Sequence, residues 1–180
     1  MKFFVNVFLL FLSQHIFAQT TVDSSFVTYE LETYQINLPS DWSIDDSGEG
    51  GVSFIIYAQP KRGNEKVLPN ISATQKSLTS KVGSNFQSAE QYVKSYESLM
   101  SLANDNFKLL ESKKTENNSY TVIYTSTLED TDGSKVNIKS YDTYFLKNKV
   151  VYLISYKAQI EDFDTELEKG KKVIYSFKFL

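Results

Sequence analysis

The sequence predicts an α+β fold, an antiparallel sheet with helices packed against it, and three observations carry that prediction. Four stretches rich in β-branched and aromatic residues follow one another between Phe107 and Ala158, separated by short turns. Two other segments switch to helical spacing, one opening at Ser88 and one near Asp162. No repeat, low-complexity tract or proline-rich linker divides the chain after its first residues. Runs of strands with helices set apart from them belong to α+β domains rather than to alternating βαβ units.

Residues 1–18 read as an export signal. Lys2 supplies a short basic start, Phe3 to Leu12 is apolar apart from Asn6, and the segment ends on the small residue Ala18. The apolar run is far shorter than the ~20 residues that cross a bilayer as a helix. Cleavage is therefore expected between Ala18 and Gln19, and no integral membrane span is expected. Residues 19–180 are expected to form a single domain, long enough to bury a core without disulfides. The chain contains no cysteine, which removes disulfides and the cysteine-linked lipid anchor of lipoproteins. Export without disulfides points to a bacterial periplasm or the cell exterior. Loss of Lys2 leaves 18 basic against 22 acidic residues, a net charge of about −4. So mild an acidic balance argues against nucleic acid or an anionic membrane surface as partner.

Element by element, Val27 to Leu38 reads as one extended segment, with Tyr34, Ile36 and Leu38 alternating against Thr33, Gln35 and Asn37. Pro39-Ser40-Asp41 interrupts it, and Trp42-Ser43-Ile44 resumes it briefly. Trp42 is expected to plug one end of the core. Asp45 to Gly51 is a turn by composition. Val52 to Gln59 is so continuously apolar that it predicts a strand covered on both faces. A charged loop, Pro60 to Pro69, leads to a shorter strand at Asn70–Gln75, and Lys76 to Gln87 is polar and irregular. Ser88 and Gln91 are spaced as a capping box. Ala89, Tyr92, Val93, Tyr96, Leu99, Met100 and Ala103 then follow on one helical face, with Asn104 as the stop. The Tyr92/Tyr96/Met100 stripe is read as core packing rather than as a ligand row.

The strands Phe107–Thr115, Tyr120–Glu129, Lys135–Lys147 and Val150–Ala158 are expected to form an antiparallel meander. Asn117-Asn118, Asp130–Gly133 and Asn148-Lys149 make its turns. A last helix over Asp162–Ser176 presents Phe163, Leu167, Gly170, Ile174 and Phe177 on one face. Gly170 there would let the backbone come close to the sheet.

The chemistry available is narrow. His15 is the only histidine and lies within the export signal, so the domain has neither imidazole nor thiol. That excludes Ser-His and Cys-His nucleophiles and metal sites built on nitrogen or sulfur ligands. A carboxylate-pair hydrolase needs only two acids about 5–10 Å apart, but no spacing singles out a pair. Asp41, Asp45, Asp46 and Glu49 crowd one loop, while Glu129, Asp130 and Asp132 precede Gly133. The second group lacks the acid at the twelfth position of a calcium loop. Both are read as solvated turns. No catalytic, cofactor-binding or metal-binding residue is assigned, and no cofactor is expected. The 12 Tyr and 13 Phe are mostly explained by sheet burial, with any exposed remainder available for recognition.

The run Tyr34-x-Ile36-x-Leu38-Pro39-x-x-Trp42, followed in order by the apolar strand, the mid-chain helix, the hairpins and a closing Ile174-Tyr175-Ser176-Phe177, resembles PsbP-like and Mog1-like (DcrB-like) domains. The resemblance covers roughly Tyr29 to Lys178. It implies an α/β/α sandwich and an accessory, binding or assembly role, without a shared activity or a transferable set of functional residues. The expected function is thus an exported, non-catalytic binding or assembly module, with another envelope or secreted protein as partner. A carrier of a small apolar ligand in a sheet–helix cleft and a carboxylate-based hydrolase remain as alternatives.

Overall fold

The computed structural model describes residues 25–61, 63, 65–78, 86–103, 106–115, 118–129 and 133–180. The export signal, Asn104, Asn117 and Asp130–Asp132 lie outside the described residues.

The meander forms as expected. Strands β6 (Lys108–Lys114), β7 (Tyr120–Glu129), β8 (Lys135–Lys147) and β9 (Val150–Gln159) pair in sequence, all antiparallel. Asn148 and Lys149 both adopt positive φ (53° and 62°), the backbone of the tight primed turn that matches strand twist. Strands β3 (Ser43–Asp45), β4 (Val52–Tyr57) and β5 (Asn70–Ser77) extend the sheet beyond β9, giving the order β3-β4-β5-β9-β8-β7-β6. β5 runs to Ser77, past the predicted end at Gln75, because backbone pairing with Val150–Tyr152 continues where the apolar pattern stops.

Two expectations about the first half of the chain are corrected. The segment Val27–Leu38 is not one strand but a hairpin, β1 (Phe26–Glu30) and β2 (Tyr34–Pro39), which turns at Leu31–Thr33. Phe179 and Lys178, in β10 (Lys178–Phe179), pair with the other edge of β2 to make a separate three-stranded sheet. Apolar alternation specifies a strand face but not its neighbours, so both extended halves satisfied it. The second correction concerns β4. Only Phe54 and Ile56 are deeply buried, and the residues between them are half-buried. The strand lies one place in from the sheet edge, where one face lacks a helix.

Helix α2 (Phe163–Ser176) packs against β2, β9 and β8. Together with the small sheet it covers one face of the large sheet and encloses the main core. That core contains Tyr34, Ile36, Trp42, Phe54, Ile56, Ile71, Ile154, Tyr156, Phe163, Val173 and Ile174. Helix α1 (Ala89–Ala103) lies on the opposite face over β7 and β8. The layers are therefore α1, the large sheet, and a mixed layer of α2 with the small sheet.

The α1 cap is close to the expected one. Gln91 N–H bonds to Ser88 Oγ (3.2 Å), while the Gln91 side chain reaches back to Gln87 N–H (2.8 Å), one residue earlier than a standard box. In α2, a Cβ placed on Gly170 would stand 2.8 Å from Tyr156 Cδ2 and 2.9 Å from Cγ. Tyr156 cannot retreat, because its ring is fully buried and its hydroxyl donates to Phe163 O at 2.7 Å. Gly170→Ala sets a helix-propensity gain of about 1 kcal/mol against an overpacking cost of about 1–3 kcal/mol. The clash outweighs the gain, and a net loss of up to about 2 kcal/mol is expected in urea denaturation. Unchanged stability would show that Tyr156 can move aside.

Candidate functional site

Across the α1 face of the large sheet, strand register lines up an unusual row of polar side chains. Asp142 on β8 stands opposite Ser155 on β9, which stands opposite Ser72 on β5. In the next row, Ser140 lies between Tyr124 on β7 and Lys157 on β9. Helix α1 packs most closely over β7 and β8, and the small hydroxyl side chains of β5 and β9 do not fill the space beside it, which leaves a hollow. The resulting cleft has a volume of about 270 Å³. Val93, Tyr96, Glu97 and Met100 of α1 form its roof, with Phe107, Tyr124, Tyr144 and Leu153 around the sides.

Asp142 forms its floor and is only 3% exposed. Ser155 Oγ donates to its Oδ1 at 2.5 Å, while the Tyr124 and Tyr144 hydroxyls donate to its Oδ2 at 3.2 and 3.4 Å. Burial pushes the Asp142 carboxyl above the usual carboxylate range, and the Ser155 bond, the nearby Lys157 charge and the two phenols pull the other way. Burial, followed by the Asp142 charge, raises Tyr124 and Tyr144 far above the ordinary phenol. Both phenols therefore stay protonated and serve as donors. Ser140 Oγ is buried without a well-formed hydrogen-bond partner. The Lys157 ammonium, half-buried at the β9 side, makes no ion pair or hydrogen bond with another described residue.

The α1 stripe differs from its expected role. Val93 and Ala89 pack into a small second core, but Tyr96 is 38% exposed and Leu99 61% exposed. Tyr96 and Met100 line the cleft instead of filling it. A helix over two strands offers partners to a narrow arc only, and the predicted face was wider than that arc. Tyr92 stacks on Tyr96 (centroids 6.1 Å apart) and leans on Tyr144.

A second hollow, of about 530 Å³, lies between α2 and the β6–β7 hairpin, bordered by Lys113, Thr143, Phe145 and Tyr175. Its hydroxyls satisfy one another through Thr115–Ser119 (2.7 Å) and Thr121–Thr143 (3.1 Å) bonds. No carboxylate lines it. The acidic loop does not converge either. Asp41 pairs with Lys169 (3.0 Å), Asp45 accepts from Ser47 N–H (3.0 Å), and Asp46 accepts from the Tyr29 hydroxyl (3.2 Å). No group of three potential metal ligands occurs among the described residues.

With this layered geometry in view, comparison with solved structures is decisive for the fold. The solution structure of cyanobacterial PsbP (CyanoP) from Synechocystis sp. PCC 6803 superposes with a TM-score of 0.57 at 13% identity, over 89% of this chain and 96% of that one. The Saccharomyces cerevisiae Ran-binding protein Mog1p gives 0.54 at 9% identity, over 85% and 94%. This is the PsbP/Mog1-like fold. Mycobacterium tuberculosis LpqN, described as involved in cell envelope biogenesis, shares the PsbP/Mog1-like architecture with a TM-score of 0.51 at 12% identity, over 86% and 88%. No protein-family model matches the sequence, and no curated protein matches it. At such identities the PsbP/Mog1-like likeness describes the backbone and says nothing of the cleft's side chains. Among the described residues no helix is long and apolar enough to cross a membrane.

Of the cleft residues, Tyr96 and Met100 stand out in the sequence but are read there as core, whereas Asp142, Ser155 and Lys157 are not singled out. Asp142 sits in a strand of alternating character between Tyr141 and Thr143, both buried. A charged residue inside such a strand was the one available signal, since a carboxylate is almost never fully buried without partners.

Proposed function

We propose that this chain is an exported, non-catalytic binding module that takes a small ligand into the cleft beneath α1. The observation that carries the reading is the state of Asp142. Its carboxylate is buried, and each oxygen already accepts a hydroxyl hydrogen. That arrangement is a rigid polar floor for recognition, not an acid free to exchange protons with a substrate. Apolar walls with a few convergent polar groups are the usual make-up of a ligand site. Accessory roles among proteins of this fold fit the same reading.

Filling the cleft tests it. Met100→Trp, at the half-buried roof, is expected to abolish binding of whatever ligand co-purifies with the native protein, read by native mass spectrometry. Unchanged ligand occupancy in that variant would place binding elsewhere. Export enters the same proposal. Intact mass of secreted material is expected to begin at Gln19, and retention of Met1 to Phe17 would refute it.

A protein partner is the second reading, and the exposed leucines favour it. Leu99 and Leu102 on α1 are 61% and 82% exposed, and Leu109 and Leu110 lie on the edge strand β6 that follows. Replacing Leu99 and Leu102 by lysine would release a protein partner but spare a ligand in the cleft. The hydrolase alternative would have to use Glu97 and Asp142, the two carboxylates that line this cleft. Turnover lost in both Glu97→Gln and Asp142→Asn would restore it.

A further inference from the structure

We infer that the ligand of the α1 cleft is a small organic cation, an amine or quaternary ammonium of about the size of choline; this rests on the cleft being the binding site. Two carboxyl side chains, Glu97 and Asp142, and one ammonium, Lys157, line the cavity, so acidic groups outnumber basic ones. The charges are also arranged along it. Glu97 accepts from Ser112 Oγ on β6, at one side, while Lys157 stands on β9, beyond Ser140 and on the opposite side of β8 from Tyr124. Asp142 lies between them on β8. The negative end is therefore the end beneath α1.

That end is also the aromatic one. Tyr96, Phe107, Tyr124 and Tyr144 border it, with the Phe107 and Tyr124 rings 5.0 Å apart. Tyr124 and Tyr144 give their hydroxyl hydrogens to Asp142. What they have left to offer a ligand is oxygen lone pairs and ring faces, both electronegative. Aromatic faces beside carboxylates in a desolvated pocket attract ammonium groups, and most strongly those that carry methyl groups in place of hydrogen-bond donors. Val93, Met100 and Leu153 supply apolar surface for the rest of the molecule. The hollow of about 270 Å³ is smaller than the sites that hold drug-sized ligands. At the other end, Lys157 and the buried Ser140 Oγ lie side by side. A polar or anionic tail on the ligand fits there.

The test compares three probes by calorimetry on the purified exported protein. They are choline, its neutral isostere with a tert-butyl group in place of the trimethylammonium, and the anionic analogue with a carboxylate in that same place. Choline is expected to bind about tenfold more tightly than the neutral isostere, and the carboxylate more weakly still. Glu97→Gln is expected to weaken choline several-fold while leaving the isostere unchanged. Equal or tighter binding of the isostere or the carboxylate overturns the cation assignment, as does failure of choline to bind at millimolar concentration. If the isostere binds equally and Met100→Trp removes it, the cleft remains the binding site and only the ligand class is wrong. If Met100→Trp leaves every probe's binding unchanged, the cleft itself is wrong as well.

Discussion

Trp42→Ala is expected to lower the free energy of unfolding by about 3–5 kcal/mol, the cost of removing a large aromatic from a packed core. Trp42 follows β2 in a turn, its N–H bonded to Pro39 O, and is only 8% exposed within the main core. It stands where the small sheet, the start of β3 and α2 meet. Lys169 of α2 lies over its ring at 5.8 Å and also pairs with Asp41 beside it. Trp42 is the only tryptophan, so its fluorescence reports wild-type unfolding but is lost in the variant. Circular dichroism in urea should therefore be used for both. An unchanged midpoint would mean that Trp42 contributes surface, not core.

Asp142→Ala is expected to cost about 2–4 kcal/mol, and Asp142→Asn far less. The alanine strands the buried hydroxyls of Ser155 and Tyr144, each costing about 1–3 kcal/mol without an acceptor, and removes the acceptor of the half-buried Tyr124. Losing a desolvated charge returns part of that. Asparagine keeps an acceptor and the shape, and removes the charge. The pH dependence separates the charge from the packing. Burial raises the Asp142 carboxyl above its unfolded value of 3.8. A group raised in this way adds stability below its unfolded pKa, and that stability is lost as pH rises through the higher folded value. Wild type should thus gain on Asp142→Asn as pH falls from 7 toward 4, by about 1.4 kcal/mol for each unit that the folded pKa lies above the unfolded one. Parallel stability–pH profiles for the two proteins would show that Asp142 titrates as it does in the unfolded chain.

How much of this was legible in the residues differs from one element to the next. The β6–β9 meander could be read directly because its pattern and its turn residues agree. Asn148 and Lys149 occupy positions that need positive φ, and the apolar runs on either side are long enough to pair. Gly170 could also be read, since a glycine in the apolar face of a helix marks a close approach, and Tyr156 is what it approaches. The hairpin at Leu31–Thr33 was hidden. β1 and β2 are both extended, and the turn between them carries no glycine, proline or asparagine to announce it. Lys178–Phe179 is too short to show a period at all, and it becomes a strand only because β2 has a free edge.

By itself, the sequence determined which residues are apolar on which face, where the chain turns after Tyr120, and that no thiol is present, because these depend on local composition and on neighbours a few positions apart. Only the tertiary structure decided that α1 packs mainly over β7 and β8 and roofs a hollow floored in part by Ser72, Thr74 and Ser155. It alone brought Asp142 together with Tyr124, Ser155 and Glu97, which come from three strands and a helix. That assembly depends on strand order and register. A charge in the middle of a strand looks the same in sequence whether it meets water or three hydroxyl donors. The difference lies in which strands stand beside it, and distant pairing sets that order.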